Sequence, residues 1–117
     1  MFRAMCTFVM LLTLIAPAFA IVLSGNDLAN SMRQSEKADR DDPSTKYTEA
    51  YEFRGFVLGV HDSREAEFCT PQGATAGQLL AVVTKYMNAN PEKWNQPAHL
   101  LVLRALQAAF PCGQGRR

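Results

Sequence analysis

Apolar side chains recur along most of this chain at three- and four-residue intervals, in runs separated by prolines and polar stretches. Leu28 and Met32 lie four apart behind Ser24, Asn26 and Asp27, side chains that favour helix caps, which predicts a short first helix. Residues 35–42 are almost wholly polar and Pro43 follows, so 35–43 reads as a solvated linker, and Asp42-Pro43 resembles the start of a helix with proline in its first turn. From about Ser44 to Glu67 no proline intervenes, and Tyr47, Ala50, Tyr51, Phe53, Val57, Leu58 and Val60 keep helical spacing, the pattern of a long second helix. Gly55 and Gly59 sit four apart inside it. Each costs about 1 kcal/mol against alanine in a helix, and the pair would let another backbone approach closely; the alternative is a break near the helix middle.

Pro71 and Gly73 then mark a turn, and Thr75-Ala76-Gly77-Gln78 has the capping-box pattern, threonine at the cap and glutamine three residues on. Leu79, Val82, Val83 and Tyr86, with Leu80 and Met87 beside them, form the apolar stripe of a third helix, which Pro91 stops near Asn90. The connection from Pro91 to Gln96 carries the only tryptophan. Pro97 suits the first turn of a fourth helix, whose Leu100, Leu101, Leu103, Ala105, Leu106, Ala109 and Phe110 are apolar nearly all round and so predict a central position. The pattern throughout is that of an all-α protein, a small bundle of about four helices.

The first twenty residues depart from this pattern. Arg3 precedes an apolar, uncharged run from Met5 to Ile15, and Pro17-Ala18-Phe19-Ala20 ends in the small-x-small arrangement that signal peptidase accepts. Residues 1–20 are therefore read as a signal peptide cleaved after Ala20, with Cys6 a small hydrophobe inside it. The alternative is a retained anchor, counting the apolar run on through Leu23. The organisation that follows is a short helix and linker over 21–43, a helical core over 44–112 and a frayed tail over 113–117.

Cleavage changes the charge and the cysteine count. Arg3 leaves with the signal, so eleven basic residues face eleven acidic ones, interspersed along the chain, which argues against nucleic acid as a partner. Of three cysteines Cys6 leaves too, and Cys69 and Cys112 remain in an oxidising compartment, where they are expected to pair and close the bundle. After cleavage no segment is left to hold the chain in a membrane.

Candidate chemistry is sparse. His61 and His99 are the only side chains that titrate near neutrality as a base would, and His61-Asp62 with Glu65 offers a metal site only on spacing. The paired histidines of zinc enzymes are missing, as are a nucleophile elbow, a phosphate loop and a Cys-x-x-Cys pair, so the chain is read as a non-enzyme without metal or cofactor.

The run Phe68-Cys69-Thr70-Pro71-Gln72-Gly73-Ala74-Thr75-Ala76-Gly77-Gln78, preceded by Phe56 to Asp62 and followed by Val82 to Glu92 and Ala105 to Cys112, resembles the Rap/Tai family of immunity proteins over about residues 24–112. The resemblance implies a periplasmic helical protein, often a homodimer, that binds and blocks a peptidoglycan amidase of the NlpC/P60 type delivered by type VI secretion. It matches Cys69 and Cys112 to the family's disulfide. Many relatives have a further cysteine pair, one near the position of Met32 and one in the second helix; neither is present here, which implies a less firmly held first helix.

An inhibitor needs an aromatic anchor among adaptable polar groups. Trp94 with Asn90, Glu92, Lys93 and Asn95 fits that description, although the indole could equally fold back onto the core; His61 and Asp62 at a charged helix end form a second candidate surface. Competing functions are an acid-stress chaperone, a stand-alone module of the family without a toxin, and an enzyme built on His61 and Asp62.

Overall fold

The computed structural model describes residues 23–113, so the signal peptide read at 1–20 and all of the tail beyond Gly113 lie outside the described residues. Four helices follow in order, α1 (Gly25–Asp39), α2 (Tyr47–Ser63), α3 (Ala76–Ala89) and α4 (Ala98–Ala109), with single 3-10 turns at Glu65–Glu67 and Pro91–Lys93. The fold is all-α, as the spacing of apolar residues predicts.

α1 opens with a capping box. The Asp27 N–H donates to Ser24 Oγ at 3.2 Å, and the Asp27 carboxylate accepts from the Ser24 N–H at 3.0 Å and hydroxyl at 2.6 Å. Those two hydrogen bonds from Ser24 hold the Asp27 carboxyl below its usual range. The helix then runs on past Met32 into the stretch read as linker, ending at Asp39. The correction has a packing cause: the buried stripe Leu28, Met32 continues at Ser35, and Ser31 and Ser35 are themselves buried. Ser31 satisfies its hydroxyl on the Leu28 carbonyl at 3.0 Å, so a small polar side chain occupies core-facing surface without cost in unmade hydrogen bonds. Asp41 takes a left-handed conformation, φ 52°, and the Asp41 and Asp42 N–H groups bond back to the Ala38 and Lys37 carbonyls at 3.1 and 3.0 Å. This is a Schellman closure with aspartate in place of glycine.

The true linker is therefore 40–46, and Pro43 lies within it instead of opening α2, which starts at Tyr47 and ends at Ser63 short of the expected Glu67. Both glycines are accommodated without a break. A Cβ placed on Gly55 or Gly59 would have nothing within 4 Å, so among the described residues no backbone makes the close approach that their spacing suggests.

The core is formed by Leu28, Ala29 and Met32 of α1, Phe53 and Val57 of α2, Leu79, Val83 and Met87 of α3 and Leu101, Val102 and Leu106 of α4, with Phe68 from the connection between α2 and α3. α2 and α4 each touch the other three helices, so α4 shares the central place with α2. It is nevertheless not buried all round, because Arg104, Gln107, Ala108 and Ala109 are exposed. Pro97 occupies its cap position, one residue earlier than expected. Met32 is fully buried and packs α1 into the core.

α3 begins as predicted. The Gln78 N–H donates to Thr75 Oγ1 at 3.2 Å while Gln78 Oε1 accepts from the Thr75 N–H at 2.7 Å. Thr75→Ala is expected to cost about 1 kcal/mol by removing one half of this exchange, and Thr75→Ser to retain most of it, as read by urea denaturation. The Cys69–Cys112 disulfide is formed across 43 positions of sequence with the Cα atoms 4.9 Å apart, and the Cys69 N–H donates to the Phe110 carbonyl at 2.8 Å. The connection leaving α2 is thereby fixed to the end of α4.

Candidate partner-binding surface

The connection between α3 and α4 is built to hold one shape. Pro91 ends α3, and the 3-10 turn that follows brings the Trp94 N–H onto the Pro91 carbonyl at 3.2 Å. The indole turns inward. Its Nε1–H donates to the Met87 carbonyl at 3.0 Å, an acceptor in the last turn of α3 that also takes the Asn90 N–H at 3.2 Å, and the Arg33 guanidinium lies 5.3 Å over the ring from the α1 side. Asn90 closes the same helix end by donating to the Tyr86 carbonyl at 2.8 Å, and the Lys93 ammonium lies 5.7 Å over the Tyr86 ring. Of the five residues singled out here, Glu92 and Asn95 point to solvent, whereas Asn90, Lys93 and Trp94 are half-buried. Trp94 is thus the post around which the loop is wound, and its outer face is carried by polar groups.

A second clamp holds the loop from the other side. Leu23 and Ser24 run antiparallel to Pro97 and Ala98, with the Ala98 N–H on the Leu23 carbonyl and the Gly25 N–H on the Gln96 carbonyl, both at 2.8 Å. The approach is so close that a Cβ on Gly25 would lie 2.6 Å from the Trp94 carbonyl oxygen and 2.5 Å from a Leu101 methyl. Arg104 reaches Gln96 from α4. Sequence reasoning missed Gly25, Arg33 and Arg104 as members of this site. A glycine directly behind a capping serine was the available signal for Gly25, because helix starts rarely need one.

His61 lies elsewhere. In the last turn of α2, its Nδ1 is 2.9 Å from Asp62 Oδ1, its Nε2 is 3.0 Å from Thr70 Oγ1, and its ring packs tilted against Phe68 with the centroids 5.3 Å apart. With a carboxylate on one side, the consistent tautomer donates from Nδ1 to Asp62 and accepts the Thr70 hydroxyl at Nε2. The imidazole is 16% exposed and the Asp62 side chain 80%. The histidine braces the segment leading into the disulfide, beside a shallow cavity of about 530 Å³ lined by Glu65, Phe68 and Thr70. No hydrogen bond, ion pair or ring contact among the described residues joins His61 or Asp62 to the Asn90–Asn95 loop. Among the same residues no group of three His, Cys, Asp or Glu side chains is placed to hold a metal ion.

Helices, one cross-link among the described residues and a polar loop pinned at both ends make a small stapled all-α domain. The family of Rap1a immunity proteins matches residues 24–112, nearly all that the structure describes, and the chain belongs to that family. No curated protein matches the chain. Membership brings with it an immunity function against secreted effectors and the binding of an effector partner; the family is one of immunity proteins, not of enzymes, and its members are generally exported. Among the described residues no helix is long and apolar enough to cross a membrane.

Proposed function

We propose that this chain is a periplasmic immunity protein that binds and inhibits a peptidoglycan amidase of the NlpC/P60 type delivered by type VI secretion. Export by the signal peptide, with cleavage after Ala20, would place it where such an effector arrives, and a homodimer would be the working form. The observation that carries the proposal is the family match across residues 24–112, which includes both disulfide cysteines and the whole α3–α4 connection. The fold supports it in a specific way. Inhibition of a cleft enzyme gains from a loop ordered before binding, because ordering then costs nothing on association, and the connection carrying Glu92, Lys93 and Asn95 is pinned by Trp94 and by Leu23–Ser24.

The test is to purify the processed protein and the cell-wall hydrolase encoded beside its gene, and to measure complex formation and peptidoglycan cleavage together. Stoichiometric loss of amidase activity is expected, with survival of cells in which the effector is directed to the periplasm. An effector that remains fully active with the protein in excess, or no amidase gene in the neighbourhood, would overturn the proposal.

A further inference from the structure

A groove of about 670 Å³ runs where α1, α2 and α3 meet, away from the α3–α4 connection. Its floor is apolar, with the half-buried Leu58 and Leu80 beside the small residues Ala76 and Ala81. Its lip is charged, and unevenly so. Arg40, Arg54 and Lys85 stand against Glu36 and Asp39. The two carboxylates are already engaged, Asp39 by the Arg54 guanidinium at 2.6 Å and Glu36 by the Asn88 amide at 3.2 Å. The cations are not matched in the same way. Lys85 is exposed and makes no hydrogen bond or ion pair among the described residues, and the Arg40 guanidinium makes none either, although it feels the Asp42 carboxylate.

The excess is local. Acidic and basic residues are nearly equal over the whole chain, so two unmatched cations bordering one apolar trench are not the by-product of a basic protein. The first turn of α3 adds to the same field, since Ala76 and Gly77 at the positive end of that helix line the groove and the space beside Gly77 is open. Charge of this sign over a leucine floor is complementary to an element that carries carboxylates next to an apolar side chain.

We propose that this groove is a second docking surface for the effector protein, taking an acidic surface element whose apolar side chain seats on Leu58 and Leu80 and whose carboxylates meet Lys85 and Arg40. The inference rests on the effector-binding function above and adds to it a contact remote from the α3–α4 loop. Two contacts on separate faces would let the groove govern approach and register while the loop fills the cleft. Rim charges act chiefly on association rate and its salt dependence.

The experiment uses the purified effector encoded beside this gene and the processed full-length chain. Binding is measured by surface plasmon resonance at two salt concentrations for the wild type, the double variant Lys85→Glu with Arg40→Glu, the conservative double variant Lys85→Arg with Arg40→Lys, and Lys46→Glu as a charge reversal outside the groove. The reversed pair is expected to weaken binding by roughly tenfold or more, mainly through slower association, with a flattened salt dependence. The conservative pair and Lys46→Glu should bind like the wild type. The reversed pair is expected to melt somewhat lower, because Arg40 closes the C-terminal end of α1 beside Asp42, and Lys46→Glu slightly lower through loss of its ion pair with Glu49. Binding is therefore compared at a temperature where circular dichroism shows every variant folded. Wild-type affinity in the reversed pair, or equal weakening in Lys46→Glu, overturns the groove while leaving effector binding intact. A wild type that fails to bind overturns the function itself.

Discussion

Reducing the Cys69–Cys112 bond, or replacing both cysteines by alanine, is expected to lower the melting temperature by roughly 15–30 °C. The bond spans 43 positions, and a closed loop of that size removes enough freedom from the unfolded chain to contribute about 4 kcal/mol in the chain-entropy treatment. For a domain of this size each kcal/mol corresponds to roughly 4–8 °C. The native state has little with which to replace the bond. The connection between α2 and α3 is short of regular structure, with Phe68 its single buried apolar side chain and the Cys69 N–H to Phe110 carbonyl bond its main tether to α4. Differential scanning calorimetry with and without reductant checks the prediction. A shift of less than about 5 °C would mean that packing around Phe68 holds the two segments together unaided.

Gly25→Ala is expected to cost about 2–3 kcal/mol, a large penalty for one methyl group at a helix start, because Gly25 is buried. The added carbon would meet the Trp94 Cα at 2.7 Å and its carbonyl oxygen at 2.6 Å. Backbone atoms cannot rotate away as a side chain can, so either α1 lifts off or the loop moves. Both routes break the Gly25 to Gln96 hydrogen bond, and the second also disturbs the indole's bond to Met87. Urea denaturation gives the stability loss. Amide exchange at Trp94 and Gln96 reports the loop, and faster exchange there should accompany weaker effector binding. Gly55→Ala supplies the contrast, since its Cβ would enter open space; that change is expected to stabilise the free protein by about 1 kcal/mol. A Gly25→Ala protein as stable as the wild type would show that the close approach is easily relaxed.

Those two glycines also show what can be read from a sequence and what cannot. Composition marks all of them alike, and periodicity singles out Gly55 and Gly59 because they share a helix face, yet the fold makes no demand at either and requires a glycine at Gly25, for the close approach, and at Gly73, for its positive φ. The need at Gly25 arises from a contact with residues about seventy positions away, which no local window contains. The ends of α1 and α2 were obscured for a related reason. Core-facing positions are recognised by apolar side chains, and Ser31 and Ser35 are buried without being apolar; helix ends are recognised by glycine, and Asp41 does the work here in a left-handed conformation. Where the determinants are local, the pattern was sufficient. Thr75 and Gln78 make the exchange their spacing predicts, Pro91 ends α3 directly after Asn90, and Cys69 and Cys112 are joined. The candidate site was legible only as a place. That Pro91 to Gln96 would be a distinctive loop followed from one tryptophan between two prolines, but the inward turn of Trp94 depends on a second hydrogen bond to the Met87 carbonyl, which also takes the Asn90 N–H, and on a guanidinium arriving from α1.

The two clamps described above act on the same helix. Leu23 and Gln96 fix the chain just before α4, and Cys69 grips it just after, through both a covalent bond and the Phe110 carbonyl. Helices ordinarily open by unwinding from a free terminus, the least costly local excursion available to them. α4 is held at both ends, so its amides are expected to exchange more slowly than those of a helix with a free end, and to open together with much of the domain.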